Sequence, residues 1–333
     1  MTDRPTASRR LLLAALPAAL ATALASRAGA QALLPGSASL LVPGPEGGLH
    51  ARWAERLAQA IATGAPTAVR LQADILGGAD GVTAANRFAT EAAPDGRSLL
   101  VLAGAAAQAR LAGDSRAKFD NAGWLPVCAS LGCAVVAGRG PRPQRGAAPP
   151  LAVAVGAPEG SGAAALLAMD LLGLPATPLA GPPTQLWQDG KAAALLLSGP
   201  AVPSRLAAMG AEPWFVLDAG PGEHDPALPD VPTLADLAPA QAPALLAACR
   251  ATGAAARLLA GLVLPALTPA DQVALWRNAV QRWLEEETRG GGAIGLAMPG
   301  AEAAAVMAVM SPGPEAVLAY REWLLRRLGW QAG

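Results

Sequence analysis

Residues 38–48 read Ala-Ser-Leu-Leu-Val-Pro-Gly-Pro-Glu-Gly-Gly, and their order carries the first structural decision. Ala38 to Val42 is a short apolar run of strand type that ends at Pro43, a residue with no backbone N–H to continue a ladder. Pro45-Glu46-Gly47-Gly48 has the composition of a turn. Beyond it Trp53, Leu57, Ala60 and Ile61 recur at helical spacing until Gly64. The unit then repeats. Val69 to Leu71 is extended, Gly77 to Gly81 turns, and residues 82–92 suit an Ala-rich helix. After the turn Pro94-Asp95-Gly96, Ser98-Leu99-Leu100-Val101-Leu102 reads as a fully buried strand. Strand alternating with helix argues for an α/β fold with a largely parallel sheet.

Outward from this block the pattern recurs in a second one. Residues 138–150, GRGPRPQRGAAPP, replace core residues with Pro and Gly, and a crossover between two lobes is expected there. The strand Leu151-Ala152-Val153-Ala154-Val155 leads through Gly156 to Gly162 into a helix over 164–172. Further strands are expected at 193–197 and 214–217, with a loop over 219–232. Thr268-Pro269-Ala270-Asp271 opens a helix, since Thr can cap it, Pro suits the first helical position, and Asp favours the positive end of the dipole. Val273, Trp276, Val280, Trp283 and Leu284 mark its buried face, and Glu285-Glu286-Glu287 reads as solvated. A last helix covers 315–328.

Composition narrows the function classes. The 333 residues hold 25 Lys and Arg against 25 Asp and Glu, so nothing in the charge balance favours nucleic acid. Charged residues are 15% and hydrophobic ones 53%, which is globular rather than disordered. Past residue 31 no run long enough to span a bilayer escapes Pro, Gly or charge. His50 and His224 are the two histidines, and with three cysteines they match no zinc spacing, so no metal and no cofactor are expected. Ser161 lacks a nucleophile-elbow context, and no acid–base pair stands near it in sequence, so no catalytic residue is assigned.

The first thirty residues read as an address. Arg4, Arg9 and Arg10 precede the apolar run Leu11 to Leu24, and Ala28-Gly29-Ala30 supplies a small-x-small cleavage site. Ser8 to Leu13 resembles a twin-arginine export signal, with Leu12 and Ala14 in place of its usual Phe and Lys. Cleavage after Ala30 leaves 21 basic and 24 acidic residues, a net charge of −3. Export to the periplasm implies an oxidising compartment. Cys128, Cys133 and Cys249 are odd in number, and buried free thiols are the preferred reading.

Two turns share one mechanical idea. Gly47-Gly48 and Gly160-Ser161-Gly162 each link a strand to a helix start, where free N–H groups and the positive end of the dipole favour an anion. At this point the chain resembles a family, the periplasmic substrate-binding proteins of tripartite tricarboxylate transporters, or Bug family. Leu41 to Gly48 is similar to the family's opening strand and Val-Pro-x-x-x-Gly-Gly turn. Gly77 to Gly81 and Ala92-Ala93-Pro94-Asp95-Gly96-Arg97-Ser98-Leu99-Leu100 resemble its next two segments. Trp124-Leu125-Pro126-Val127 looks like its Phe-x-Pro-Val. Leu228-Pro229-Asp230-Val231-Pro232-Thr233 matches its Leu-Pro-Asp-Val-Pro-Thr, and Gly261 to Ala266 with Thr268-Pro269 resembles its Gly-Leu-x-x-Pro-x-Gly-Thr-Pro.

The resemblance implies a two-lobed periplasmic-binding-protein fold of the venus-flytrap, type II kind, each lobe a mainly parallel sheet flanked by helices. Residues 36–135 with 245–333 would form lobe I and 136–244 lobe II. The implied function is non-catalytic capture of a small organic acid for the membrane subunits of a secondary transporter, by a monomer. A ligand sensor read by a membrane receptor is the alternative, and a hydrolase a third. The ligand is expected at Gly47, Gly48, Leu49, His50, Ala103, Gly104, Glu159, Gly160, Ser161, Gly162 and Ser198, which follow strand candidates as ligands of open α/β sheets require. Several family side chains are missing: Leu49-His50-Ala51 replaces Ser-Thr-Asp, Ala103 to Ala106 is bare of hydroxyls, and Ser198-Gly199 stands where Asp-Asn is usual. A larger or more apolar acid follows from these changes.

Overall fold

The computed structural model describes residues 33–64, 69–144, 146, 149–217, 224–238, 242–290 and 294–333. The expected signal peptide and its cleavage site lie outside the described residues. Leu34–Gly333 forms one compact unit. It contains two sheets. The first takes β1 (Ser37–Pro43), β2 (Arg70–Leu76), β3 (Ser98–Leu102), β4 (Leu125–Leu131), β10 (Leu258–Leu264) and β11 (Leu296–Pro299), in the order β11-β4-β10-β3-β1-β2. The second takes β5 (Cys133–Gly138), β6 (Leu151–Ala154), β7 (Ala176–Leu179), β8 (Ala194–Gly199) and β9 (Glu212–Val216), in the order β7-β6-β8-β5-β9.

Both sheets are mixed, which corrects the expectation of mainly parallel ones. β1 pairs parallel with β2 and β3, while β10 runs antiparallel to both β3 and β4. In the second sheet β6 is parallel to β7 and β8, but β5 is antiparallel to β8 and β9. The path of the chain supplies the reason. β4 runs in the sense of β3 and leaves the first sheet at Leu131; one residue later, past Gly132, the chain enters β5. It returns through helix Pro243–Arg257 directly into β10, whose first residue, Leu258, pairs with the last of β4, Leu131. A strand that starts where its neighbour ends must run the other way. The crossover expected at 138–150 therefore lies at Gly132 instead, and the Pro/Gly-rich segment connects two strands of the same second sheet.

The two crossings are tied together. Gly132 N–H donates to Arg257 O (2.8 Å), and Arg257 Nε donates back to Gly132 O (3.0 Å). Arg257, 12% exposed, also pairs with Asp225, 4% exposed, at 3.4 Å. Cys128 and Cys133 thus lie on strands of different sheets, and all three cysteines are buried.

Helices cover the sheets as the apolar periodicity requires. Helix Leu49–Gly64 buries Trp53, Ala54, Leu57 and Ile61 against β1, and each large apolar side chain so buried contributes about 1.5–3 kcal/mol. Trp53 meets Trp283 edge to face, with ring centroids 5.3 Å apart, and its Nε1 donates to Ser130 Oγ (2.8 Å). The helix expected from Ala270 breaks at Val280 into Ala270–Ala279 and Gln281–Arg289. On the second of these Glu285 and Glu286 are exposed, but Glu287 is 3% exposed and paired with Arg56, so the acidic run is not wholly solvated. Helices Pro243–Arg257 and Pro314–Leu328, expected with the first lobe, share an apolar cluster with helix Ala163–Leu172 of the second sheet. Asp170 on that helix accepts from Trp323 and Arg327 at 2.8–2.9 Å.

Leu267 carries strain with no packing return. Its φ is 67°, a left-handed conformation costly for a side chain, and it is 89% exposed. Leu267→Gly is expected to raise stability by up to about 1 kcal/mol, once the extra chain entropy of glycine is subtracted. A urea midpoint at or below that of the parent would contradict the strain.

Candidate functional site

The carboxyl ends of β1, β3, β6 and β8 lead into the elements that enclose one cleft of about 590 Å³. Eight of the expected residues line it: Leu49, His50, Ala103, Gly104, Glu159, Gly160, Ser161 and Ser198. Gly47, Gly48 and Gly162 are not on its wall; they shape the turns behind it. Gly47 O accepts from Arg52 Nη1 (2.5 Å), and Gly48 N–H donates to Pro45 O (2.9 Å). A Cβ on Gly162 would fall 2.2 Å from Val155 O, so its role is close packing against the backbone just past the end of β6.

The donors available to an anion follow from helix geometry. Helix Leu49–Gly64 leaves the amides of Leu49, His50 and Ala51 without intrahelical acceptors. Helix Gly104–Ala112 leaves those of Gly104 and Ala105, since Ala106 N–H turns back to Ala103 O (3.1 Å). In the second lobe the Gly160 amide is taken by Ala157 O (3.0 Å), and those of Ala163, Ala164 and Ala165 by the carbonyls of Gly160, Ser161 and Gly162. Ser161 and Gly162 keep their donors at that helix start.

Several cleft residues had no sequence signal. Gln108, 2% exposed, reaches across the floor: its Nε2 donates to Glu159 O (3.3 Å) and to Tyr320 Oη (3.1 Å). Arg116 at the rim pairs with Asp80 and Asp114, and the hydrogen bond from Arg116 holds the Asp114 carboxyl below the usual range. Pro200, Leu258 and Leu259 complete apolar walls. These residues come from distant parts of the chain, and no local spacing joins them. His50 is half-buried; burial pushes its pKa below 6.5, opposed by a hydrogen bond with the Leu259 backbone.

Ser161 lines the cleft without His224, which lies elsewhere with its ring against Val231 O (3.4 Å). Among the described residues no group of three or more His, Cys, Asp or Glu could hold a metal ion. A second cavity, of about 560 Å³, lies beside the crossover, and its main charges are already matched, Arg257 by Asp225 and Glu287 by Arg56.

Two sheets joined by paired crossings, with a cleft at the strand ends, is a fold shared with several solved structures. The fold matches a TctC solute-binding protein from Polaromonas with a TM-score of 0.64 and 18% identity, over 87% of this chain and 98% of that one. It matches malate-bound MatC from Rhodopseudomonas palustris at 0.51 and 20%, over 86% and 98%. An adipate-bound protein of R. palustris matches at 0.52 and 16%, over 89% and 98%. No protein-family model matches the chain. No curated protein matches it either. The chain thus shares the fold of these three proteins, at an identity of 16–20%.

Proposed function

We propose that the protein is a divergent Bug-family solute-binding protein that captures a small organic acid in the cleft and delivers it to the membrane subunits of a secondary transporter. The single observation that carries this reading is the convergence of two helix starts, at Leu49 and Gly104, and of the Ser161 turn that leads into a third helix, on one cleft between the two sheets. Their free amides and dipoles suit a carboxylate without any cationic side chain. The malate- and adipate-bound relatives in fold support the ligand class. Lobe I would be built on the six-stranded sheet and lobe II on the five-stranded one. The N-terminal segment would direct export to the periplasm, with Gln31 as the first residue after cleavage. Binding without catalysis fits a cleft of backbone donors and alanines.

Thermal-shift measurements on the exported form with an organic-acid panel test this reading. A bound acid at about 100-fold its Kd stabilises by roughly 2.7 kcal/mol. The pH dependence tests the site. His50 is neutral in the free protein down to below pH 6.5. A carboxylate beside it pulls its pKa back up, so binding takes up protons and tightens as pH falls through that window. His50→Ala is expected to flatten this dependence. No stabilisation by any acid at pH 5.5 or 7.5 would overturn the reading, and an unchanged pH profile in the variant would remove His50 from the site.

A further inference from the structure

The cleft wall has an unequal charge balance. Asp80, Asp114 and Glu159 line it, and Arg116 is the one Lys or Arg among its lining residues. Arg116 is already committed: Nη1 lies 2.9 Å from Asp80 and Nη2 2.6 Å from Asp114. That group keeps one negative charge in excess, and Glu159, outside these ion pairs, adds another. Opposing them are the helix starts, each with about half a positive charge at its first turn. Most of the remaining wall is apolar, including Ala79, Ala105, Ala109, Leu258 and Leu259.

One carboxylate can be accommodated at the helix starts. A second carboxylate on the same ligand would enter a region where fixed acids outnumber cations, in a cleft whose apolar walls weaken solvent screening. We infer that the cleft selects monocarboxylates with an apolar body over dicarboxylates, and that Glu159 is the specificity-determining residue. This inference rests on the reading of the cleft as a carboxylate site. It separates this chain from the malate- and adipate-bound proteins that share its fold. Glu159 is well placed for the role, because its backbone carbonyl is held by Gln108 at the cleft floor and its turn leads through Ser161 into the helix that starts at Ala163.

Calorimetry with hexanoate, phenylacetate and adipate tests it, since hexanoate and adipate share a chain length and differ by one carboxylate. The parent protein is expected to bind hexanoate or phenylacetate at least about tenfold more tightly than adipate. Glu159→Gln should narrow that gap several-fold by improving adipate more than hexanoate, and Asp80→Asn gives a second route to the same change. Equal or tighter binding of adipate by the parent overturns the selectivity. An unchanged ratio in both variants overturns the role of the acids. If no acid with one or two carboxylates binds, the carboxylate reading itself falls and this inference falls with it.

Discussion

Gly104→Ala is expected to destabilise the protein by about 3 kcal/mol or more, although alanine is the better helix former. A Cβ at Gly104 would lie 1.9 Å from Ala255 O and 2.7 Å from Leu258 O, both backbone atoms that cannot swing aside. Those two carbonyls belong to the end of helix Pro243–Arg257 and the start of β10, where the chain re-enters the first sheet. The methyl group would therefore push the return crossing away from the cleft floor. Gly36→Ala is the matched control, because a Cβ there meets nothing within 4 Å. Urea denaturation of both variants reads the difference directly. Equal midpoints would mean that the helix starting at Gly104 and the return crossing are not in contact.

Arg257→Met is the second large effect, with an expected loss of about 3–5 kcal/mol. The substitution keeps apolar bulk but strands the Asp225 carboxylate, which is 4% exposed and whose Oδ2 has no hydrogen-bond partner beyond the pairing with Arg257. It also removes the donor to Gly132 O that ties the two crossings. Adding Asp225→Asn should recover part of the loss, since the amide retains an acceptor for Ala227 N–H and buries no charge. A double variant no more stable than the single one would place the whole cost in the Gly132 contact.

Local patterns made the strands and turns legible and left their directions hidden. Ser98–Leu102 was expected at those bounds, and β1, β6 and the last helix to within a residue or so, because apolar runs bounded by Pro, Gly or Asp announce themselves. β10 reads in sequence like any buried strand. Only its start beside the end of β4 makes it antiparallel, and that register is a tertiary fact. The misplaced crossover has a similar cause: a Pro/Gly-rich segment marks a loop, but not which sheets it joins. In the cleft, the positions called from strand–glycine–helix order came together where backbone geometry decides, as at Leu49 and Ser161. Gln108 and Arg116 were invisible because each sits in an ordinary helix or loop and acquires meaning from distant neighbours, while Asp80 was legible only as part of the Gly77–Gly81 turn. Glu287 shows the reverse error, an acid in a charged run that folds inward to meet Arg56 across the helix pair.

The three thiols have a consequence for how the protein can be made. Cys128 and Cys249 are fully enclosed, and burial raises both thiols far above the range in which a reactive thiolate forms. Cys133 is also buried, on the neighbouring sheet, and no cross-link closes the described fold. Among the described residues the fold is completed by packing and hydrogen bonds, with no disulfide to be formed by an oxidant. The described fold therefore needs no oxidising compartment in order to form. For the bench, the same property means that expression of residues 31–333 in a reducing cytosol is expected to give the same fold, and that reductants are expected to leave its melting curve where it was.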